Sequence, residues 1–281
     1  MQRVLVVDDS KAMRHYIAAG LDRWFDVEIS HDGQDALDRC ADTPFDLIVT
    51  DLEMPRVDGF GVFRGLRAQG QYIPVVLVTD QDVDRWLTTA AEVGLSHIYP
   101  KQMLHADFNG FIRMLRALSL GELSVGLAPH LGPGGEVRTF VLSSLDEVEA
   151  LHTETTPILS HYPRASIYRA TLGLLVQHGL AYGTPEGGMG PGRYLHVSVG
   201  ADEQRVGMAV REATGHISTL DVLSWLAEPQ TEGSRGWGFQ VVRRFMDQCH
   251  IGLWHGVSTE VVCIDLLDGY DGSRMLSIME R

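Results

Sequence analysis

The sequence predicts an α/β fold, a doubly wound five-stranded parallel sheet, followed by a second unit of the α+β class. Three observations carry this expectation. Short, largely β-branched apolar runs alternate with helix-period segments through the first half of the chain. Most of those runs are apolar at every position, which suits strands covered on both faces rather than strands with one wet face. The second half orders its elements differently, with helices first and hairpins after.

The first run, Arg3 to Val7, ends in Asp8-Asp9-Ser10, after which Met13, Tyr16, Ile17, Leu21 and Trp24 recur at helical spacing. A strand therefore feeds a helix. The pattern repeats as a strand over 27–30 with a helix around 35–40, a strand over 45–50 with a helix around 59–68, and a strand over 73–79 with a helix around 83–93. A fifth strand over 96–100 precedes a helix over 105–117. Glycine and proline then accumulate at Gly121, Gly126, Pro129, Gly132, Pro133, Gly134 and Gly135, so we expect a first domain over 1–120, a linker over 121–137 and a second domain over 138–281. In that second domain the expected elements are a strand over 139–142, helices over 145–159 and 167–181, and a hairpin of strands 194–199 and 206–211. A glycine-rich stretch, Gly233 to Phe239, runs into a helix over 238–248, and strands over 251–255 and 259–266 close the pattern. Helices on one side of an antiparallel or mixed sheet make an α+β sandwich.

Composition bounds the function. The 281 residues are 44% apolar and 21% charged, the balance of a folded globular protein with room for two cores. Lys and Arg number 23 against 37 Asp and Glu, and the net charge of -14 repels phosphate backbones and anionic lipid. With no basic stripe and no recognition-helix pattern, nucleic acid is not an expected partner. Cys40, Cys249 and Cys263 are odd in number, far apart and in no metal-ligand spacing, which fits a reducing, cytoplasmic setting. Met1 to Asp8 lacks the basic and apolar regions of a signal peptide, no stretch approaches a membrane span, and no membrane association is expected. The twelve histidines, among them His178, His196, His216, His250 and His255, show no paired ligand spacing and are expected to pack or face solvent. Trp225, Trp237 and Trp254 divide between core and a partner surface.

In a parallel sheet, ligands sit beyond the carboxyl ends of the strands. Those ends carry Asp8 and Asp9, then Asp51, then Thr79, then Lys101. Three carboxylates crowded on one rim repel one another unless a hard cation offsets them, and Mg²⁺ suits such oxygen ligands. An ammonium and a hydroxyl opposite them would hold the oxygens of a phosphoryl group on the remaining carboxylate, so Asp51 is the candidate nucleophile.

At these residues the sequence resembles the receiver domain of two-component response regulators over roughly the first 120 positions. The resemblance rests on Val4-Leu5-Val6-Val7-Asp8-Asp9-Ser10, on Phe45 to Pro55 leading to Asp58-Gly59, on Val78-Thr79, and on Tyr99-Pro100-Lys101. It implies a flavodoxin-like sheet, Asp51 as phosphoacceptor, and Mg²⁺ held by Asp8, Asp9, Asp51 and the backbone carbonyl of Glu53. It further implies Thr79 and Lys101 as phosphoryl sensors, Tyr99 as an aromatic switch, and a histidine kinase or phosphotransfer protein as donor. Two positions depart from the family's pattern. Asp80 stands where a small residue usually follows Thr79, and Gln102 stands where proline usually follows Lys101, with Pro100 in front instead.

The element order of the second half resembles the histidine-kinase-type ATPase fold, particularly the stand-alone anti-sigma-factor kinases. The resemblance places Gly173 and Gln177 where that family has a base and a metal ligand, Glu212 and Gly215 where it reads adenine, and Arg235, Gly236 and Gly238 in its last glycine box. Glycine has no carboxylate, so the expectation is a pseudo-ATPase that binds ATP weakly or not at all, with no catalysis beyond Mg²⁺-dependent gain and loss of phosphate at Asp51. The function expected is a phosphorelay response regulator controlling a protein-binding effector, with a downstream protein such as a sigma-factor regulator as partner and a homodimer allowed. The alternative is an active ATP-dependent serine kinase under receiver control.

Overall fold

In a computed structural model of the chain, the residues described are 1–121, 126–182, 194–213, 215, 217–227, 237–254 and 257–280. The chain divides into two compact units, Met1–Leu123 and Ser124–Arg281.

The first unit alternates β1 (Arg3–Val7), α1 (Lys11–Leu21), β2 (Asp26–Ser30), α2 (Gly33–Asp42), β3 (Leu47–Asp51), α3 (Gly59–Ala68), β4 (Val75–Thr79), α4 (Leu87–Val93), β5 (His97–Pro100), α5 (Lys101–Ala106) and α6 (Phe108–Leu120). Its strands run in the order β2-β1-β3-β4-β5, every pair parallel. β3 and β4 are buried along their whole length, which is why their sequences are uninterruptedly apolar up to the functional end. α1 and α6 pack together through Phe108, whose ring meets Tyr16 edge-on at 5.6 Å between centroids. α2 packs against α3. Each of the first three main helices starts on a side-chain cap, Ser10, Asp32 or Asp58, which accepts backbone N–H groups of the first turn.

The region expected as one helix over 105–117 is two. Asp107 interrupts it, accepting the Gly110 N–H at 2.8 Å to cap α6, and α5 starts upstream at Lys101 itself. Likewise the helix expected from Val83 begins as a 3-10 turn, Val83–Trp86, before α4.

The second unit contains β6 (Glu136–Leu142), α7 (Val148–Leu159), α8 (Ala165–Tyr182), β7 (Leu195–Ala201), β8 (Arg205–Glu212), α9 (Thr219–Ala227), α10 (Trp237–Phe245), β9 (Gln248–Trp254), β10 (Ser258–Leu266) and β11 (Met275–Glu280). The strand order is β11-β9-β10-β8-β7-β6. The sheet is mixed: β11 is parallel to β9 and all other neighbours are antiparallel. α9 and β11 are absent from the sequence expectation, and with β11 the sheet does not end in a closing hairpin. α7 and α8 cover one face of this sheet. On that face Tyr168 of α8 donates its hydroxyl to Asp265 of β10 at 2.5 Å, and Arg164 pairs with the same carboxylate. Burial and the neighbouring Asp265 push the Asp247 carboxyl up, so this buried acid pair retains a proton more readily than exposed carboxylates do. Trp225 is core, stacked on Phe239 at 6.1 Å.

Much of the expected linker lies against the opposite face of the second unit's own sheet. Gly126 donates its N–H to the buried Glu260 carboxylate at 2.9 and 3.0 Å, His130 stacks on His250 at 4.4 Å, and Gly132 donates to Asp202 at 2.5 Å. Gly207 on β8 leaves the space that Leu127 fills, since a Cβ there would lie 2.5 Å from Leu127 Cδ1. All three cysteines are free thiols and buried.

Candidate functional site

Parallel strands bring their carboxyl ends to one rim, and the acidic cluster forms there. Asp8 follows the last residue of β1, Asp9 is next, and Asp51 is the last residue of β3. One carboxylate oxygen from each lies within 4.8 Å of the others, with Asp8 and Asp51 buried and Asp9 exposed. Three hard oxygen donors at that spacing fit a divalent cation of the Mg²⁺ type, which prefers carboxylates and retains water on its remaining positions.

Lys101 reaches into this cluster from the start of α5. Its Nζ lies 3.0 Å from Asp8 Oδ2, 3.0 Å from Asp51 Oδ2 and 3.6 Å from Asp80 Oδ2. Burial pushes the Asp51 carboxyl up to about 6 against the pull of Lys101, with the Asp8 charge adding to the rise. Asp8 is raised for the same leading reason. Burial works to lower the Lys101 ammonium, but the Asp51 and Asp8 carboxylates outweigh it and hold the group above its ordinary value. The ammonium is thus the charge that keeps two buried carboxylates tolerable.

The backbone around the cluster is fixed by local bonds. Ser10 N–H donates to Asp8 Oδ1 at 2.8 Å, and Arg14 of α1 donates to the backbone carbonyls of Asp8 and Asp9, both at 3.1 Å. Gly59 at the start of α3 sits so close to Asp51 that a Cβ there would lie 2.5 Å from the Asp51 carbonyl oxygen. Glu53 donates its N–H to Asp51 Oδ1 at 3.5 Å, and its side chain accepts from Gln81 at 2.5 Å, linking the loops after β3 and β4. Arg14, Gln81 and Arg56 escape the sequence reading. Arg56 holds a positive φ of 70° and pairs with Asp32 at the start of α2, a contact that bends the loop after Asp51 and has no local sequence signal.

Thr79 ends β4, one register step beyond the Val78 that faces Asp51, and its Oγ1 accepts the Gln81 N–H at 3.0 Å. Tyr99 is buried, its ring 4.7 Å from Phe111 of α6 and its hydroxyl donating to the Asp107 carbonyl at 3.2 Å. The ring thus occupies the interior in this structure. No cis peptide bond occurs among the described residues, and Pro100 leads straight into α5.

The described residues expected at a nucleotide site fall on α8, at and just after the end of β8, and on α10, and α8 packs against both β8 and α10. Gly173 is half-buried on α8, facing His152 of α7, and Gln177 is exposed one turn on. Glu212 at the end of β8 is buried and accepts the Gly215 N–H at 3.1 Å. On the next strand Thr259, the register partner of Glu212, has a buried hydroxyl with no hydrogen-bond partner among the described residues. Gly238 lies within α10. Arg235, Gly236, His216 and His255 lie outside the described residues, as do the side chains of His178 and Trp237.

Comparison with known proteins bears mainly on the first unit. Residues 4–112 match the family model described as the response regulator receiver domain. The chain is 32% identical over 148 residues to the response regulator MprA of Mycobacterium sp. (strain KMS), covering 52% of this chain and 60% of that protein. It is 37% identical over 100 residues to the MprA of Mycobacterium avium (strain 104), covering 35% and 44%. The matches thus span about half the length of these relatives. Among solved structures, the receiver domain of the Francisella response regulator 1452 shares 24% identity over 44% of this chain and 100% of that one, at a TM-score of 0.40. The Vibrio cholerae chemotaxis protein CheY4 shares 27% over 41% and 98%, at 0.38. No helix among the described residues is long and apolar enough to cross a membrane.

Proposed function

We propose, from the premise that residues 4–112 are a response regulator receiver domain, that Asp51 accepts a phosphoryl group from a histidine kinase or phosphotransfer protein and that the second unit is the effector. The observation that carries this reading is the Asp51 carboxylate lying 3.0 Å from Lys101 Nζ within the oxygen cluster it forms with Asp8 and Asp9.

A carboxylate oxygen of Asp51 attacks phosphorus in line, the bond from phosphorus to the donor nitrogen breaks, and the donor imidazole leaves. Lys101 turns from the carboxylate to a phosphoryl oxygen, and the Thr79 hydroxyl takes another. Asp8, Asp9 and Asp51, with the Glu53 carbonyl, would hold Mg²⁺, which when bound offsets the negative charge gathered at the site. Because Lys101 is also the first residue of α5, its movement acts on the segment to which Tyr99 is tied through Asp107. Tyr99, packed on Phe111 of α6, is in this reading the aromatic switch that responds to that movement.

For the second unit we infer a protein-binding domain of the histidine-kinase-type ATPase fold that has lost turnover. Gly173 supplies no base and Gln177 supplies no carboxylate, which leaves phosphoryl transfer from ATP without its proton acceptor and without an acidic metal ligand. A sigma-factor regulator is the kind of partner this reading implies.

Incubation of the full chain with acetyl phosphate and Mg²⁺ tests the receiver. Labelling is expected in the wild type, lost on chelation and absent in Asp51→Asn. Equal labelling of the variant overturns the assignment. Incubation with ATP and Mg²⁺ tests the effector: no phosphate release above background is expected, and steady turnover overturns the pseudo-ATPase reading in favour of an active kinase.

A further inference from the structure

Asp80 adds a third carboxylate to Lys101. Its Oδ2 lies 3.6 Å from the Lys101 Nζ, and its side chain is 69% exposed, whereas those of Asp8 and Asp51 are almost fully buried. The ammonium is therefore shared between two inner carboxylates and one at the solvent side. Asp80 follows Thr79, the last residue of β4, so the carboxyl end of that strand places a negative charge on the solvent side of the Lys101 ammonium.

We propose that Asp80 is a positioning residue for phosphoryl handling at Asp51, slowing the arrival of the phosphoryl group and hastening its departure by competing for Lys101 and repelling the phosphoryl oxygens. The proposal rests on Asp51 being the phosphoacceptor. In loading by acetyl phosphate, an Asp51 oxygen forms a bond to phosphorus as the bond from phosphorus to the acetyl oxygen breaks, and acetate leaves. A dianionic donor approaches past Asp80, and two like charges about 4 Å apart in water repel by about 1 kcal/mol, or about fivefold in rate. In hydrolysis, water oxygen bonds to phosphorus, the phosphorus–Asp51 oxygen bond breaks, phosphate leaves, and a proton passes to solvent. The loose transition state moves negative charge from the phosphoryl group onto the Asp51 oxygen, so a neighbouring carboxylate destabilises the starting state more than the transition state. Lys101, while held by Asp80, is also less available to the phosphoryl oxygens in the starting state. Both effects shorten the lifetime. Asp80 is exposed, so salt screens its share of the field.

The test compares wild type, Asp80→Asn, Asp80→Glu and Asp51→Asn as full chains with acetyl phosphate and Mg²⁺, at low and high ionic strength. Asp80→Asn preserves shape and removes charge. It is expected to load about threefold to tenfold faster and to retain its label about threefold to tenfold longer after donor removal, with both differences shrinking as salt rises. Asp80→Glu restores the charge and is expected to return both rates toward wild type. Loading and loss in Asp80→Asn that match wild type at low salt overturn the proposal, as does a change that high salt leaves intact. Equal labelling of Asp51→Asn, or no labelling of wild type, overturns the phosphoacceptor premise and the proposal with it; a labelled wild type with an unlabelled Asp51→Asn keeps the premise and isolates Asp80.

Discussion

Gly59 shows how much of the site depends on one missing side chain. It opens α3 against the backbone of the residue whose carboxylate the site is built around, and a methyl group there would meet both the Asp51 carbonyl oxygen and Leu77 Cδ2 at 2.5 Å. Neither neighbour is free to move, because Leu77 is buried and Asp51 ends a central strand. Gly59→Ala is therefore expected to destabilise the receiver by about 1–3 kcal/mol, the usual effect of overpacking. It is also expected to lower acetyl phosphate labelling by displacing Asp51. Urea unfolding read alongside labelling checks both; a variant as stable and as readily labelled as wild type contradicts the close-packing account. The charged residues obey a similar economy: the Asp8 and Asp51 carboxylates are buried within reach of one ammonium, and substituting Lys101 would leave them without it.

At the scale of the element, β5 carries both a structural and a functional burden within four residues. Ile98 and Tyr99 pack, Pro100 delivers Lys101, and His97 at the start is buried, which lowers its pKa to about 4. The folded receiver thus holds His97 neutral while the unfolded chain protonates it near 6.5, so stability is fully present above about 6.5 and is lost as pH falls from there through about 4. The expected loss is about 1–3 kcal/mol, and His97→Gln is expected to flatten the slope in that window. Chemical denaturation at several pH values measures it; a wild-type slope identical to that of the variant contradicts the burial argument. α5 and α6 illustrate the opposite case, in which a polar residue divides what periodicity joins. Asp107 reads as one more position of an amphipathic run, yet its carboxylate caps the following helix and its carbonyl accepts from Tyr99.

For the whole molecule, a phosphoryl group on Asp51 can control the second unit only through surfaces whose contacts differ between the two states. The chain from Lys101 through α5 and Asp107 to α6 offers such a route, because Lys101 must follow the new charge and Tyr99 couples the same segment to the core. Phosphorylation is expected to change hydrogen exchange along α4 to α6 and in the second unit, together with self-association or partner affinity. Identical protection, solution mass and partner binding in both forms would contradict the switch. The segment 126–135 bears on how the two units are separated experimentally. Since Gly126, His130 and Gly132 contact the second unit's own sheet, truncations that begin at 138 remove part of that unit rather than a spacer.

The acidic rim was legible from the sequence alone because a parallel sheet leaves little freedom: once five apolar runs are recognised, Asp8, Asp9, Asp51, Thr79 and Lys101 follow as the residues at their carboxyl ends. That inference uses only local periodicity and chain direction. The tertiary structure decided everything that depends on partners distant in sequence. It closed the Lys101 ammonium on Asp80 as well as on Asp51, put the Tyr99 ring inside, set Arg14 on the carbonyls of the acidic pair, and added β11 parallel to β9. It also turned a glycine- and proline-rich stretch from an expected spacer into a strap held by Glu260, a hydrogen bond spanning 134 positions. Glycine and proline report that a segment cannot continue a helix or strand, but they say nothing about which buried carboxylate will accept its backbone N–H groups. That choice is made by the packing of the whole unit, where a buried charge must find donors wherever the fold brings them.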